Sequence, residues 1–269
     1  MNASARMNWL GLYAIFFVVF LYGPVLLLPM FSFNDSIYVA FPLKEFTTRW
    51  YVEMVNNPSL IAALQNSLKV GVSVAIISTA LGLLAAKAVT RYRLPGRGPV
   101  VGMIMLPLVV PSIILGVALL VILRKVFDVP LSLWTIGAGH VLICTPFSML
   151  VLMSRLEGFD KSLEEASLDL GESAWSTFWR VTVPLALPGI VSSLLLTFTE
   201  SLDEFVIAFF LAGNESTLPL FIWSQLRFPN KLPGVLALGS CILLLSIVIV
   251  IVAEMIRRRG VQSSKPTAF

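Results

Sequence analysis

Charge is what this chain has least of. Of its 269 residues only 13% are Asp, Glu, Lys or Arg, where a soluble domain carries roughly a quarter. So few ionic groups cannot cover a surface wetted on every side, which excludes a water-soluble globule. Cysteine is nearly absent too. Cys144 and Cys241 both lie inside apolar runs, with no CxxC pair and no His/Cys cluster. That excludes a disulfide framework and leaves no metal ligand to assign. The one histidine, His140, and the lack of an HExxH motif leave little material for an intramembrane hydrolase. No catalytic residue is therefore assigned. No GxxxxGK[ST] phosphate loop exists, so this chain binds no ATP or Mg of its own. The net charge of +4 is spread over loops rather than gathered with aromatics in one patch. No nucleic-acid partner is expected.

Apolar side chains fill the space that charge leaves. They make up 57% of the chain, and the mean hydropathy is +0.90. Several runs reach the ~20 residues a helix needs to cross ~30 Å of hydrocarbon. Six spans are predicted: Trp9–Phe31, Ile61–Val89, Pro99–Leu123, Leu131–Met153, Leu187–Leu211 and Leu232–Ile256. The first run is too long for a signal-peptide core and is read as a retained span. No helix–strand alternation and no short internal repeat is visible. The expected fold is all-α, a polytopic membrane protein forming one transmembrane domain over residues 1–269.

Lysine and arginine give the orientation. With the N-terminus inside, twelve of the nineteen basic residues fall on the cytoplasmic side and seven on the other. The strongest votes are the short loop Arg91–Arg97 and the run Arg257–Arg259. Both termini are thus expected in the cytoplasm. The outer segment Ser32–Leu60, with Trp50 and Tyr51, suits the membrane interface. Ala212–Lys231 is read as a second outer loop.

The cytoplasmic connection 154–186 is far longer than a turn requires. Leu156, Phe159, Leu163, Ala166 and Leu170 recur at helical spacing. A second amphipathic stretch, Ala174–Val183, carries Trp175, Phe178 and Trp179. An interfacial helix lying on lipid would have a basic polar face. This one is acidic, with Glu157, Asp160, Glu164, Glu165, Asp169 and Glu172. A protein partner fits it better.

The same loop carries a recognisable pattern. Glu165-Ala166-Ser167, three residues, Gly171, nine residues and Val181-Thr-Val-Pro184 resembles the EAA signature of bacterial ABC-importer permeases. Ser167 and the two valines depart from it by small changes in volume. Leu106-Pro-Leu-Val-Val-Pro111 and Arg155-Leu-Glu-Gly-Phe-Asp160 are similar to the family as well. The likeness extends over about residues 60–256. It implies a MetI-like fold in a bacterial inner membrane, whose permeases pair as dimers. Two ATPase subunits would carry ATP and Mg, and a periplasmic or lipid-anchored binding protein would deliver the ligand. Glu164, Glu165, Ala166, Ser167, Asp169, Gly171 and Pro184 become the candidate ATPase-coupling residues. Gly171 would stop one helix and Pro184 open the next.

Ionisable residues inside a span are costly and usually functional. The fifth span holds Glu200, Asp203 and Glu204, whose spacing puts them on one helical face. No Lys or Arg is expected at their depth, so a cation crossing the membrane would partner them. Ser201, Thr197 and Thr199 offer neutral hydrogen bonds. Ser201-Leu-Asp-Glu204 also resembles the Ser-Leu-Asp-Asp string of the spermidine/putrescine branch of that family. That resemblance implies a polyamine substrate and a second, unlike permease subunit. Asp203 is the discriminating residue, while Glu204-Phe205 is shared more widely. The alternatives are another amine-bearing solute such as an amino acid relative or an opine, or ferric iron. A channel or ion-coupled transporter would also use the acidic residues but would leave the long loop unexplained. Trp134 and Trp223 read as interfacial anchors, with Trp223 able to offer its ring to a passing ammonium. His140 with Pro146 reads as a hydrogen bond and a bend, and Pro107 with Pro111 as breaks in the third span.

Overall fold

The first apolar run does form a helix, α1, over Trp9–Ser32. The computed structural model describes residues 9–92 and 95–262, apart from the side chains of 249, 250 and 252–262. Three residues used for orientation, Arg6, Arg93 and Lys265, lie outside the described residues. So do the side chains of Arg257–Arg259. No strand occurs among the described residues.

The chain divides into two compact units. Met1–Pro58 with Ile222–Phe269 form one, and Ser59–Phe221 the other. In the first unit α1 packs along α12 (Leu232–Gln262), which also meets α2 (Arg49–Val55). Most α1 side chains are exposed, as suits a helix apolar all round that faces lipid. The segment between α1 and α2 folds on itself. Trp50 is buried and its indole N–H donates to the Asn34 carbonyl at 2.9 Å. Phe33 stacks on Phe46 at 5.0 Å, and Arg49 pairs with Asp35 at 2.8 Å. The expected outer loop Ala212–Lys231 contains a helix, α11 (Leu218–Leu226), because its middle is apolar.

The second unit is built on α3 (Pro58–Arg91), α6 (Leu133–Glu157) and α9 (Val183–Asp203). Two apolar clusters stabilise it. Val70, Val74, Ile136, Ile143, Ile207 and Leu211 form one, and Leu83, Ala86, Met149, Leu152, Leu156 and Phe178 the other. Hydroxyls bind the three helices together. Thr79 Oγ1 lies 3.1 Å from Ser193 Oγ, which donates to Ser148 Oγ at 2.7 Å. Small residues make that approach possible. A Cβ on Gly82 would run into Ser148 Oγ and stand 2.8 Å from the Met149 amide nitrogen.

Among the described residues five helices are long and apolar enough to cross a membrane, or six if one bent pair counts as a span. The bend lies in the third span. α4 (Arg97–Val109) and α5 (Ser112–Val121) meet at 99°. Pro111 has no N–H to donate, and Val110 before it is extended at φ −78°, ψ 129°.

The fifth span departs from expectation at both ends. The sequence predicts Leu187–Leu211, preceded by a separate surface helix. Instead Ala174–Asp203 runs without interruption: α8 (Ala174–Thr177), a π turn over Phe178–Thr182, then α9. The π turn adds a residue ahead of Pro184, which absorbs its missing N–H and the clash of its ring with the preceding turn. Pro184 therefore sits in a continuing helix rather than at an elbow. At the other end α9 stops at Asp203, and α10 covers Val206–Leu211.

Packing at Gly82 is directly testable. Gly82→Val should lower the stability of the detergent-purified chain by roughly 1–3 kcal/mol through overpacking, read as a drop in thermal midpoint. Gly137→Ala, where a new Cβ meets nothing within 4 Å, should leave the midpoint unchanged.

Candidate functional site

Short helices and one glycine shape the cytoplasmic elbow. α7 covers Ser162–Asp169. Asp160 Oδ1 accepts the Ser162 N–H at 3.0 Å, and this bond holds the Asp160 carboxyl below its ordinary range. α7 ends because Gly171 takes φ +89°. The Gly171 N–H donates to the Leu168 carbonyl at 2.9 Å and the Glu172 N–H to the Ser167 carbonyl at 3.2 Å, the paired bonds of a Schellman stop. Ser173 Oγ then caps α8 by accepting the Ser176 N–H at 3.1 Å.

The coupling candidates split into two sets. Glu165, Ala166, Asp169, Gly171 and Pro184 are exposed, and Ser167 is half-buried, with its hydroxyl 3.0 Å from that of Thr177. Leu168, Leu170, Trp175 and Trp179 add exposed apolar surface around them. Glu164 turns the other way. It is buried, its Oε1 accepts the Thr182 hydroxyl at 2.6 Å, and its Oε2 faces Arg91 Nε at 3.4 Å. It offers no outward charge to a partner. Sequence reading counted Arg91 only as a topology vote. A basic residue at the end of a span gives no sign in the sequence of a buried acid 73 positions away.

The acidic trio of the fifth span does not form one row. Asp203 is the last residue of α9 and exposed, while Glu204 lies beyond the helix at φ −69°, ψ 105°. Glu204 has a structural use: its Oε1 accepts the Ile207 N–H at 3.0 Å and so caps α10. Glu200 is half-buried and close enough to feel both Asp203 and Glu204. Neither the Glu200 nor the Asp203 carboxylate has a hydrogen-bond or ion-pair partner among the described residues.

The neutral groups expected beside them are already used. Ser201 Oγ lies 2.8 Å from His140 Nδ1, a buried pair. The Thr197 hydroxyl donates to the Ser193 carbonyl at 2.8 Å, and that of Thr199 to the Leu195 carbonyl at 2.9 Å. Trp223 belongs to the other unit, and Arg227 covers its ring at 3.7 Å. The chain's own guanidinium thus covers one face of that ring. Trp134 is exposed and borders an apolar groove of about 490 Å³ that also contains Lys69.

The different roles of two adjacent acids can be separated by stability. Glu204→Ala should cost about 1 kcal/mol, the size of a lost cap, while Asp203→Asn should cost nothing measurable. Thermal unfolding of the two variants in the same detergent decides this.

Residues 78–261 match the family described as "Binding-protein-dependent transport system inner membrane component". The chain is 37% identical over 240 residues to the "Spermidine/putrescine transport system permease protein PotC" of Escherichia coli (strain K12), covering 89% of this chain and 90% of that protein. It is 36% identical over 231 residues to the "Putrescine transport system permease protein PotI" of the same organism, covering 83% and 82%. Among solved structures, a bacterial ABC transporter involved in alginate import superposes with a TM-score of 0.69 at 17% identity, over 96% of this chain and 99% of that one. The MetNI methionine ABC transporter in an inward-facing conformation gives 0.57 at 18%, over 77% and 97%. At such low identity these two likenesses establish the fold, an all-α permease architecture. The chain belongs to the family of binding-protein-dependent transport system inner membrane components: it is a permease subunit of the membrane, not an enzyme.

Proposed function

We propose that this chain is one of two unlike permease subunits of an ATP-driven importer, and that its cargo is a polyamine such as putrescine or spermidine. The observation that carries the reading is the pair of unpartnered carboxylates, Glu200 and Asp203, at the break between α9 and α10. Uncompensated acids within a span are expensive. An ammonium arriving there relieves the cost. The C-terminal end of α9 adds its negative dipole at the same place. A diamine brings two positive charges to two acids. The names carried by the relatives in Escherichia coli, spermidine/putrescine and putrescine permeases, support the same cargo.

In this reading Glu165, Ala166, Ser167, Asp169 and Gly171 dock into an ATPase subunit, with Leu168, Leu170, Trp175 and Trp179 giving the contact its apolar area. Two ATPases, a second permease and an external binding protein complete the assembly. All 269 residues work as one transmembrane domain, with both termini in the cytoplasm. ATP-driven approach of the two ATPases moves the elbows and reorients the spans, and hydrolysis resets them.

Uptake of labelled putrescine and spermidine by cells carrying the complete transporter tests the cargo. Asp203→Asn should reduce uptake roughly tenfold or more, about 1.4 kcal/mol of lost interaction, with unchanged ATPase co-purification. Uptake at the wild-type level would return Asp203 to a structural role. Failure of the wild type to take up either amine would refute the polyamine assignment and leave the family membership intact.

Gly171→Asp tests the elbow. A β-carbon at φ +89° carries strain of roughly 1–3 kcal/mol. Co-purification of the ATPase should fall about tenfold, which corresponds to about 1.4 kcal/mol, while membrane insertion persists. Full retention of the ATPase would remove this loop as the docking site.

A further inference from the structure

Four side chains behind the elbow form a connected, largely buried network. Lys87 and Arg91 come from the end of α3, Glu164 from α7, and Thr182 from the π turn that leads into α9. Lys87 Nζ donates to Thr182 Oγ1 at 3.3 Å, and Thr182 Oγ1 donates to Glu164 Oε1 at 2.6 Å. Arg91 Nε faces Glu164 Oε2 at 3.4 Å without hydrogen-bond geometry. Its Nη2 donates to the Leu156 carbonyl at 2.8 Å and the Phe159 carbonyl at 3.3 Å, at the end of α6. Two rings flank the cations: Phe159 lies 4.5 Å from the Arg91 guanidinium and Phe178 4.7 Å from Lys87 Nζ.

The Arg91 and Glu164 side chains are only 9% and 10% exposed. The other ion pairs of this region differ. Arg97–Glu157 and Lys161–Glu165 are more than half exposed on both sides, and Arg180 of the Arg180–Glu172 pair is 73% exposed. Exposed pairs of that kind contribute little. A buried pair is another matter, because removal of one partner strands the other charge out of water. Here the acid has one hydroxyl donor and one ion-pair partner, each from a different element.

The connectivity matters for how force travels. Along the chain, α7 reaches α9 only through the Gly171 stop and α8. The Glu164–Thr182 bond crosses that corner directly, and Arg91 ties the same carboxylate to the ends of α3 and α6. We propose that Arg91, Glu164 and Thr182 are positioning residues for transport: they lock α7 to α3, α6 and α9, so that displacement of the elbow moves the three spans as one body. This inference rests on the ATP-driven importer reading. Lys87 reinforces the lock through Thr182.

The experiment uses the complete transporter, reconstituted in proteoliposomes with its binding protein, and reads amine imported per ATP hydrolysed. Glu164→Gln and Thr182→Val should assemble with the ATPases and hydrolyse ATP. The import ratio should fall roughly fivefold or more, the lower end of a typical coupling energy. Arg97→Ala, which removes only an exposed pair, should leave the ratio at wild type. Ratios within about twofold of wild type in both variants, against that fivefold coupling, would overturn the proposal. Loss of assembly in both variants, with Arg97→Ala intact, would also overturn it, making the cluster a folding element alone. If only Glu164→Gln fails to assemble, Thr182→Val decides, since it removes a hydroxyl and no charge. A wild type that binds no ATPase sinks both the importer reading and the lock. Should the wild type assemble but import neither amine, the cargo assignment fails by itself. The lock is then judged by the stimulation of ATP hydrolysis that the binding protein produces.

Discussion

Lipid gives apolar helices no reason to prefer one another over the solvent, so close approach and hydrogen bonding must hold the bundle. In this chain that contact is the meeting of α3, α6 and α9 at mid-length. Gly82 lets the Ser148 side chain lie against the α3 backbone, and Ser148, Ser193 and Thr79 share hydroxyl bonds there. The candidate residues of the fifth span lie on α9, which this crossing holds. α9 starts beside the elbow and ends at Asp203, about 30 Å away at 1.5 Å per residue. Once α9 is fixed at its middle, a shift at one end must appear at the other.

Where the helices break is as informative as where they pack. In the membrane a lost backbone hydrogen bond has no water to replace it. The third span breaks where Pro111 removes a donor, at a point the sequence already marks. The fifth span breaks at Glu204 with no proline present, and the acid itself supplies the missing acceptor for Ile207. Pro184 and Pro188 lie within the continuous stretch Ala174–Asp203 and do not stop it. The π turn before Pro184 accommodates that proline, and Pro146 likewise lies inside α6 without ending it.

That contrast marks what the sequence could and could not convey. Six apolar runs, the acidic loop and the spacing from Glu165 to Pro184 led directly to the all-α membrane fold and to the permease family. An apolar run located α3, and periodicity located α7, although the periodic stretch starts at Leu156 in the last turn of α6. Periodicity failed at the junction of surface and span, because Ala174–Val183 has both an amphipathic face and an apolar continuation. The acidic trio showed the same limit. A spacing of three and four predicts one face only while the helix lasts, and α9 ends before Glu204. The inward turn of Glu164 was beyond reach for a different reason. Its neighbour Glu165 has the same chemistry, and only the packing of α3 against the elbow decides which of the two is buried.

Two groups of charge in this chain follow opposite logic. Glu164 sits behind the elbow with a hydroxyl and a guanidinium on its two oxygens, and its partners are tied in turn to two other helices. Such an arrangement gains nothing from an outside ligand, since an added cation would have to displace a bonded one. Glu200 and Asp203 stand at a helix break with no partner among the described residues, near enough to repel each other. Ser201 was at hand, yet its hydroxyl is committed to His140. In the proposed reading, a transport path uses such a site because it does not satisfy itself, so that a cation can arrive and leave.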